Sequence, residues 1–225
     1  MKPIYLDNNA TTPVAREVLD EMMPYLTDLY GNPSSMHTFG GQLHKKVEEA
    51  RARVAAVINA DPEEIVFTSC GTESDNTAII SAAESYPHKR HIVTTRVEHP
   101  AVLNFSRHIA RKGYRVTFLP VDRQGRLDMK SFLKAIDNDT AVVSVMYANN
   151  ETGVIFPVRE IGEALREKKI LFHTDAVQAV GKIPINVKKI PVDMLSLSGH
   201  KLLAPKGVGA LYVRKGARFY PYMIG

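Results

Sequence analysis

SLSGHK at residues 196–201 is the stretch that decides the fold, and HTDAVQ at residues 173–178 lies shortly upstream of it. Each stretch follows a short apolar run with the character of a strand, residues 192–195 and residues 169–172 respectively. Polar and ionisable residues therefore cluster where two predicted strands end. Open α/β sheets bind their ligands at the carboxyl ends of strands, so we expect a ligand site here.

The two stretches together contain a lysine, a carboxylate, two histidines and several hydroxyl groups. This combination indicates an aldehyde cofactor that carries a phosphate, because Lys201 can form a Schiff base with pyridoxal phosphate. Asp175 can pair with the pyridine nitrogen and so make the ring an electron sink. The competing interpretation of Lys201 alone is a solvated surface charge, as most lysines are, and the whole constellation favours the cofactor.

The composition is that of an ordinary globular protein. Of the 225 residues, 44% are hydrophobic and 24% are charged, which is enough for one large core. The net charge is +5, but acids interleave with the bases, as in residues 45–51, which does not favour nucleic-acid binding. No run is apolar enough for a signal peptide or a membrane span, and the single Cys70 excludes an internal disulfide, so we expect a cytoplasmic protein.

Helix and strand patterns alternate along the chain with short connections, which predicts an α/β fold with a doubly wound, mainly parallel sheet. Besides the two runs above, strands are predicted at residues 64–68, 91–95, 115–121 and 141–146. Helices are predicted at residues 13–30 with a kink at Pro24, at 129–136 and 159–168, and in segments ending near residues 85 and 112. A further helix carries an apolar stripe that we expect to face the core: Leu43, Val47, Ala50, Val54 and Ile58.

Residues 69–76 lead from the first predicted strand into a helix. Gly71 allows close approach of a ligand to the backbone, Thr72 offers a hydroxyl group, and the free amides of a helix start favour a phosphate. The alternative is an ordinary helix cap, in which Asp75 closes a box-like motif on Thr72. The two interpretations are compatible, because a capped helix start still presents its amides.

Two further motifs follow predicted strands. His99 comes after the strand at residues 91–95; taken alone, such a histidine is more often structural. The paired asparagines Asn149 and Asn150 precede a glycine, and these are ordinary turn residues. Neither motif indicates chemistry without its neighbours.

The motifs as a set resemble the class V aminotransferase superfamily, and within it the cysteine desulfurases of the NifS/IscS type. The resemblance rests on HTDAVQ, SLSGHK and PKGVGALY at residues 205–212, and it extends over nearly the whole chain in family order. It implies the large α/β domain of fold type I pyridoxal phosphate enzymes, with an N-terminal arm at residues 1–12, the domain itself at 13–225, and a last strand at 209–213 that runs antiparallel. One departure is Ala204, where the family pattern leads us to expect glycine.

The resemblance also implies a role for each candidate residue, and it implies no metal. Lys201 holds pyridoxal 5'-phosphate covalently and later moves the α-proton, Asp175 keeps the pyridine nitrogen protonated, and His99 stacks on the ring and transfers protons. The remaining contacts are to the phosphate and to the ring oxygen: Gly71, Thr72, Ser198 and His200 for the phosphate, and Asn150 and Gln178 for the oxygen.

The implied reaction is the removal of sulfur from L-cysteine, which leaves alanine and a persulfide on a separate loop cysteine. The implied partners are a sulfur acceptor or iron–sulfur scaffold protein and a second copy of the chain, for iron–sulfur cluster assembly. Cys70 does not match the loop cysteine, and a small packed residue is the simpler interpretation of it. We therefore expect an N-terminal part of a longer enzyme, without the loop cysteine or the small C-terminal domain and incomplete on its own.

Two alternatives stay open at this point. An aminotransferase or a selenocysteine lyase of the same superfamily shares the whole cofactor constellation. A truncated chain without activity, acting as a scaffold, is the third possibility, although an intact lysine site disfavours it.

Overall fold

The computed structural model describes residues 3–224, in which seven strands form one sheet accompanied by six α-helices. The strands are β1 (Ile65–Thr68), β2 (His91–Thr95), β3 (Arg115–Leu119), β4 (Thr140–Ser144), β5 (Leu171–Asp175), β6 (Met194–Ser198) and β7 (Gly209–Val213). The helices are α1 (Arg16–Thr27), α2 (Thr38–Val57), α3 (Gly71–Ser85), α4 (Pro100–Arg111), α5 (Met129–Ala135) and α6 (Val158–Lys168). Among these helices none is both long enough and apolar enough to cross a membrane.

The strand order across the sheet is β1-β7-β6-β5-β4-β2-β3. β7 pairs antiparallel with β1 and β6, and all other neighbouring strands pair parallel. The predicted mainly parallel sheet is therefore confirmed, and so is the antiparallel strand at residues 209–213. Since the parallel strands point the same way, their carboxyl ends all lie at one end of the sheet, where ligands bind in open α/β folds.

The middle of the sheet is buried on both faces. Every residue of β2, β4, β5 and β6 is buried, as expected for parallel strands with helices packed on either side. One core layer contains Phe132 and Phe172, and the other contains Ile79 and Ile92, all of them without exposed surface. This packing gives the carboxyl ends of the strands a rigid base.

The two strands predicted before HTDAVQ and SLSGHK, at residues 169–172 and 192–195, were placed too early in the chain. β5 continues to Asp175 and β6 continues to Ser198, so residues expected beyond the strand ends lie inside the sheet. The reason is that two of the polar side chains are paired within the interior: His173 Nε2 lies 2.9 Å from Ser196 Oγ on the neighbouring strand. A polar residue whose hydrogen bond is formed across the sheet does not end a strand.

The two N-terminal helices differ from their predictions. α1 is shorter than residues 13–30, contains Pro24 and has no buried residue. In the stripe of α2 only Leu43 and Ile58 are buried, and Ala50 is exposed, so the prediction of a stripe facing the core throughout was wrong. The physical reason is that α2 has few contacts with the sheet, mainly with β1, and among its last residues Ala55 and the capping Ile58 are buried.

Candidate active site

A cavity of about 380 Å³ opens at the carboxyl ends of β5 and β6. The starts of α3 and α4 and residues that follow β4 complete its wall. The structure brings all nine predicted site residues to this cavity: Gly71, Thr72, His99, Asn150, Asp175, Gln178, Ser198, His200 and Lys201.

Lys201 reaches the cavity from the 3₁₀ turn Gly199–Lys201 that follows β6. Its Nζ donates hydrogen bonds to the carbonyl oxygens of Asn9 and, at 2.7 Å, Ala10. Burial, followed by the nearby cation of Lys182, lowers the pKa of Lys201. A larger share of the amine is then uncharged, which is the form that attacks an aldehyde.

Asp175 is the last residue of β5, and its carboxylate lies at the bottom of the cavity. One oxygen, Oδ1, accepts a hydrogen bond from the Val177 amide at 2.9 Å, which fixes the orientation of the side chain. Burial raises the pKa of Asp175, and the Val177 amide, His99 and Lys201 act in the opposite direction. The carboxylate is thus buried but faces two groups that can carry positive charge.

One corner of the cavity, formed by Gly71, Thr72, Ser198 and His200, has the features of an anion site. A Cβ at Gly71 would lie 2.9 Å from Val177 Cγ2, so the corner has no room for a side chain there. The Ser198 hydroxyl is buried and has no hydrogen-bond partner among the described residues. α3 begins at Gly71, and the first amides of a helix have no intrahelical acceptor and attract anions.

His99 and Asn150 lie on the wall of the cavity. His99 caps α4, and its Nδ1 accepts a hydrogen bond from the Ala101 amide at 3.2 Å, so the neutral ring carries its proton on Nε2. Asn149 is buried, and its side-chain oxygen accepts from the Glu151 and Thr152 amides. The first asparagine of the pair is therefore structural, and only the second, Asn150, lines the cavity.

The segment at residues 9–12 lies across the mouth of the cavity and is tied to it by several hydrogen bonds. Gln178 Nε2 donates to the Asn9 carbonyl at 2.8 Å, and Asn9 Nδ2 donates to the Asn150 carbonyl at 3.1 Å. Thr12 Oγ1 donates to the His200 carbonyl at 2.9 Å. Residues 9–12 are thus part of the site wall.

Two expectations about this region were wrong. His173 does not belong to the site: it has no exposed surface, and its ring nitrogens lie 2.9 Å from Ser144 Oγ and from Ser196 Oγ. Asp75 does not cap α3 through Thr72 either, because the capping position is Cys70 and its side chain forms no cap hydrogen bond. Asp75 points inward because its position in the helix faces the sheet.

Two buried carboxyl groups lie next to the site, and sequence reasoning assigned neither of them to it. Asp75 lines the cavity with 1% of its surface exposed, and Glu98 is 4% exposed just before His99. Helical spacing was the signal for Asp75, since residues three, four and seven positions later are Ala78, Ile79 and Ala82, all without exposed surface. An acid on the apolar face of a helix is expected to be buried.

With the fold and the site in place, the comparisons with known proteins assign the family. The family Aminotransferase class-V matches residues 4–225, and the chain therefore belongs to it. The cysteine desulfurase of Trichormus azollae is 60% identical over 225 residues, all of this chain and 56% of its own length.

Solved structures agree with this assignment. A NifS-like protein superposes with a TM-score of 0.96 at 44% identity, over 100% of this chain and 62% of the other. SspA, solved in complex with cysteine, gives a TM-score of 0.95 at 38% identity, over 98% of this chain and 65% of the other. The predicted family and the predicted fold are thus confirmed. The chain spans little more than half the length of the curated relative.

Proposed function

We propose that this chain carries the cofactor-binding part of a pyridoxal 5'-phosphate-dependent cysteine desulfurase. The observation that carries the proposal is the meeting of one lysine amine, one buried carboxylate and one unpartnered hydroxyl in a single cavity. These are Lys201, Asp175 and Ser198. The likeness to cysteine desulfurases over all of the chain supports the same reaction.

The residues of the cavity fit the cofactor. Its phosphate belongs in the corner of Gly71, Thr72, Ser198 and His200, where the buried Ser198 hydroxyl lacks a partner and a side chain at Gly71 would leave no room. When bound, pyridoxal phosphate supplies an electron sink for the bonds at the α-carbon of an amino acid. Asn150 and Gln178 face the cavity with amide groups that can hold the ring oxygen.

Each remaining residue then has a task. Lys201 holds the cofactor through Nζ, and the same amine, once released, takes and returns the proton of the substrate α-carbon. Its lowered pKa, caused first by burial, favours the uncharged amine that both tasks need. Asp175 keeps a proton on the pyridine nitrogen, and His99 covers the ring face with its Nε2 proton available to the substrate.

We propose L-cysteine as the substrate, and alanine and a protein persulfide as the products. The solved complex of SspA with cysteine supports cysteine as a ligand of a related protein. The persulfide belongs to a cysteine other than Cys70, because Cys70 directly precedes Gly71 in the phosphate corner. The sulfur then passes to an acceptor or iron–sulfur scaffold protein for iron–sulfur cluster assembly.

The organisation of the protein is part of the proposal. Residues 1–12 form an arm, of which residues 1 and 2 lie outside the described residues, and residues 13–225 form the large domain, of which residue 225 lies outside them. The contacts of residues 9–12 with the cavity support a role of the arm in the site. We further propose that the enzyme acts in the cytoplasm as a homodimer.

The test is an assay of the longer protein that contains this chain, incubated with L-cysteine and cofactor. We expect alanine and protein-bound persulfide in equal amounts, lost in Lys201→Ala and kept in the control Lys206→Ala. Formation of a keto acid instead of alanine identifies an aminotransferase. Turnover of selenocysteine alone identifies a selenocysteine lyase, and a protein that takes up no cofactor contradicts an enzymatic role.

A further inference from the structure

Asp75 is a buried carboxyl group for which the proposed reaction has no task. It lies in the second turn of α3, lines the cavity and exposes 1% of its surface. Its Oδ1 has no hydrogen-bond partner among the described residues, and the nearest basic atom, His173 Nε2, is 3.5 Å away. A buried ionised carboxylate that faces no cation and has one oxygen unpaired is strongly unfavourable, so the group needs another explanation.

His173 does not neutralise Asp75. Both of its ring nitrogens are already occupied, by the hydroxyls of Ser144 and Ser196, each at 2.9 Å. Burial lowers the pKa of His173 to about 3, so the ring is neutral at physiological pH. The contact between Asp75 and His173 is therefore not an ion pair.

The other titratable groups that face Asp75 bring no positive charge. They are Asp175 on β5, Glu98 after β2 and Cys70 before α3. Burial, followed by the charge of Asp175, raises the pKa of Asp75 well above its ordinary value, and the neutral hydroxyl of Ser196 on β6 acts in the opposite direction without reversing the shift. Burial likewise raises the pKa of Glu98 to about 8.

The remaining elements packed against α3 bring no positive charge to Asp75 either. β1, β4 and β6 carry no titratable side chain, and β7 carries only Tyr212. The basic residues of α4 begin at Arg107, in the second half of that helix. The two groups of the cavity that can carry positive charge, His99 and Lys201, act on Asp175 instead.

We propose that Asp75 is a positioning residue that keeps a proton, so that Asp175 alone carries the negative charge at the bottom of the cavity. Two carboxyl groups that share one site rarely ionise together, and here their surroundings decide which one does. Asp175 has an amide donor and two possible cations, whereas Asp75 has none of these. This inference rests on the proposed function, in which the ionised Asp175 faces a protonated pyridine nitrogen.

The expected effect of a substitution depends on the charge of the aspartic acid that it replaces. A protonated Asp75 adds no second negative charge to compete with Asp175 for the pyridinium proton. An amide at this position reproduces the shape and neutrality of the acid, so Asp75→Asn should leave Asp175 ionised. Asp175→Asn, in contrast, removes the charge itself.

Infrared spectroscopy of protein labelled with ¹³C-carboxyl aspartate locates the proton directly. The carbonyl stretch of a protonated aspartic acid is distinct from the stretches of a carboxylate, and the isotope separates aspartate from Glu98. At pH 7 we expect one such band to be lost in Asp75→Asn and to remain in Asp175→Asn. A Glu98→Gln control should keep the aspartic acid band.

Three outcomes overturn the proposal: no protonated aspartic acid band in the wild type, loss of the band in Asp175→Asn alone, or no loss in Asp75→Asn. If Asp75→Asn does not fold, survival of the band in Asp175→Asn supports the proposal and its loss contradicts it. Failure of the proposed function is a separate result, namely wild-type protein that takes up no pyridoxal phosphate. The infrared measurement needs no bound cofactor and decides the position of the proton in either case.

Discussion

The two ends of strand β2 carry two clusters of ionisable residues, which differ in whether their buried polar atoms are hydrogen-bonded. At its start, His91 is buried, with Nδ1 2.9 Å from Thr140 Oγ1 and Nε2 2.8 Å from Thr117 Oγ1. Asp137 and Arg115 lie next to it. Just beyond its end, the buried Glu98 accepts from Thr95 at 2.6 Å through Oε1, but its Oε2 has no partner within residues 3–224. Every ring nitrogen of the first cluster is paired, whereas the second cluster contains unpaired buried oxygens.

Unpaired buried oxygens also occur in the cavity next to Glu98. Asp75 Oδ1 and Ser198 Oγ are also buried and unpaired, and both belong to residues of the cavity wall. Buried polar atoms in proteins are nearly always paired, so unpaired ones on the wall of a cavity are candidates for contact with a ligand. The amino end of β2 is a structural cluster, and at the carboxyl end we propose a binding site.

The pKa values follow the same division. Partial burial opposes the shift at Asp137, but hydrogen bonds from Arg115 and Thr140 outweigh it and lower the pKa of Asp137 to about 2. Burial raises the pKa of Glu98 to about 8, although hydrogen bonds from Thr95 and Met146 act against it. Hydrogen bonds thus lower the pKa of the partly exposed Asp137 at one end of the strand, whereas burial outweighs them and raises the pKa of Glu98 at the other.

The largest effect is expected for Asp175→Asn in the longer protein. The variant should retain the cofactor, because Lys201 and the phosphate corner are unchanged. It should lose at least about a hundredfold in turnover of L-cysteine, since a neutral amide does not keep the pyridine nitrogen protonated. The measurement is alanine formation under saturating cofactor, and turnover near the wild-type rate contradicts the role of Asp175.

Glu98→Gln tests the acid at the carboxyl end of β2 through the pH dependence of stability. A carboxyl group whose folded pKa is raised from 4.5 to about 8 stabilises the fold fully below pH 4.5, and this contribution is lost as the pH rises toward 8. We expect the free energy of unfolding of the wild type to fall by roughly 3.5 kcal/mol between pH 5 and 8, and that of Glu98→Gln to change less. Identical pH profiles from denaturant titrations show that Glu98 is not a buried acid.

A smaller effect is expected in the phosphate corner. In Gly71→Ala the new Cβ lies 2.9 Å from Val177 Cγ2, and it occupies space that the phosphate needs. Cofactor affinity, measured by absorbance titration, should fall about tenfold, which corresponds to about 1.4 kcal/mol.

Gly41→Ala is the matched control for that change. It lies in α2, and a Cβ there meets nothing within 4 Å. We expect unchanged cofactor affinity and a gain in stability of about 0.5–1 kcal/mol, because alanine is the better helix former. Equal losses of affinity in both variants contradict the placement of the phosphate.

The smallest effect is expected at the amino end of β2. Asp137→Asn removes an acid whose side chain is 47% exposed, so its ion pair with Arg115 is largely screened and about 0.5–1 kcal/mol of stability should be lost at pH 7. Because the folded pKa is lowered to about 2, this contribution is present above pH 4 and disappears as the pH falls through 2. Urea titrations at pH 7 and pH 2 should therefore differ between wild type and variant only at pH 7, with cofactor binding unaffected.

The sequence was sufficient for the fold and for the residues around the cavity, because both depend on local patterns. Apolar runs between turn residues located the sheet strands, and the motifs at Lys201, Asp175 and Gly71 predicted residues that line the cavity. The bounds of β5 and β6 were less accurate, because polar residues that pair inside the sheet have the same sequence pattern as polar residues that follow a strand. His173 and Ser196 are the pair that caused this error.

The charge states around the cavity required the three-dimensional structure. Asp75 was interpreted as part of a helix cap, and nothing in its own segment shows that its Oδ1 lacks a partner. Whether a carboxyl group is ionised depends on which side chains from distant strands surround it, here Asp175 and Glu98. The exposed Ala50 in the stripe of α2 is a similar case, because periodicity shows that a face is apolar but not what covers it.

The central claim, that the unpaired groups at the carboxyl end of the sheet form a pyridoxal phosphate site, has one direct test. Protein incubated with the cofactor is reduced with borohydride, digested and mapped by mass spectrometry. We predict a pyridoxyl group on the peptide that contains Lys201, absent from Lys201→Ala and present in Lys206→Ala. A pyridoxyl group on another lysine, or none at saturating cofactor, contradicts the account.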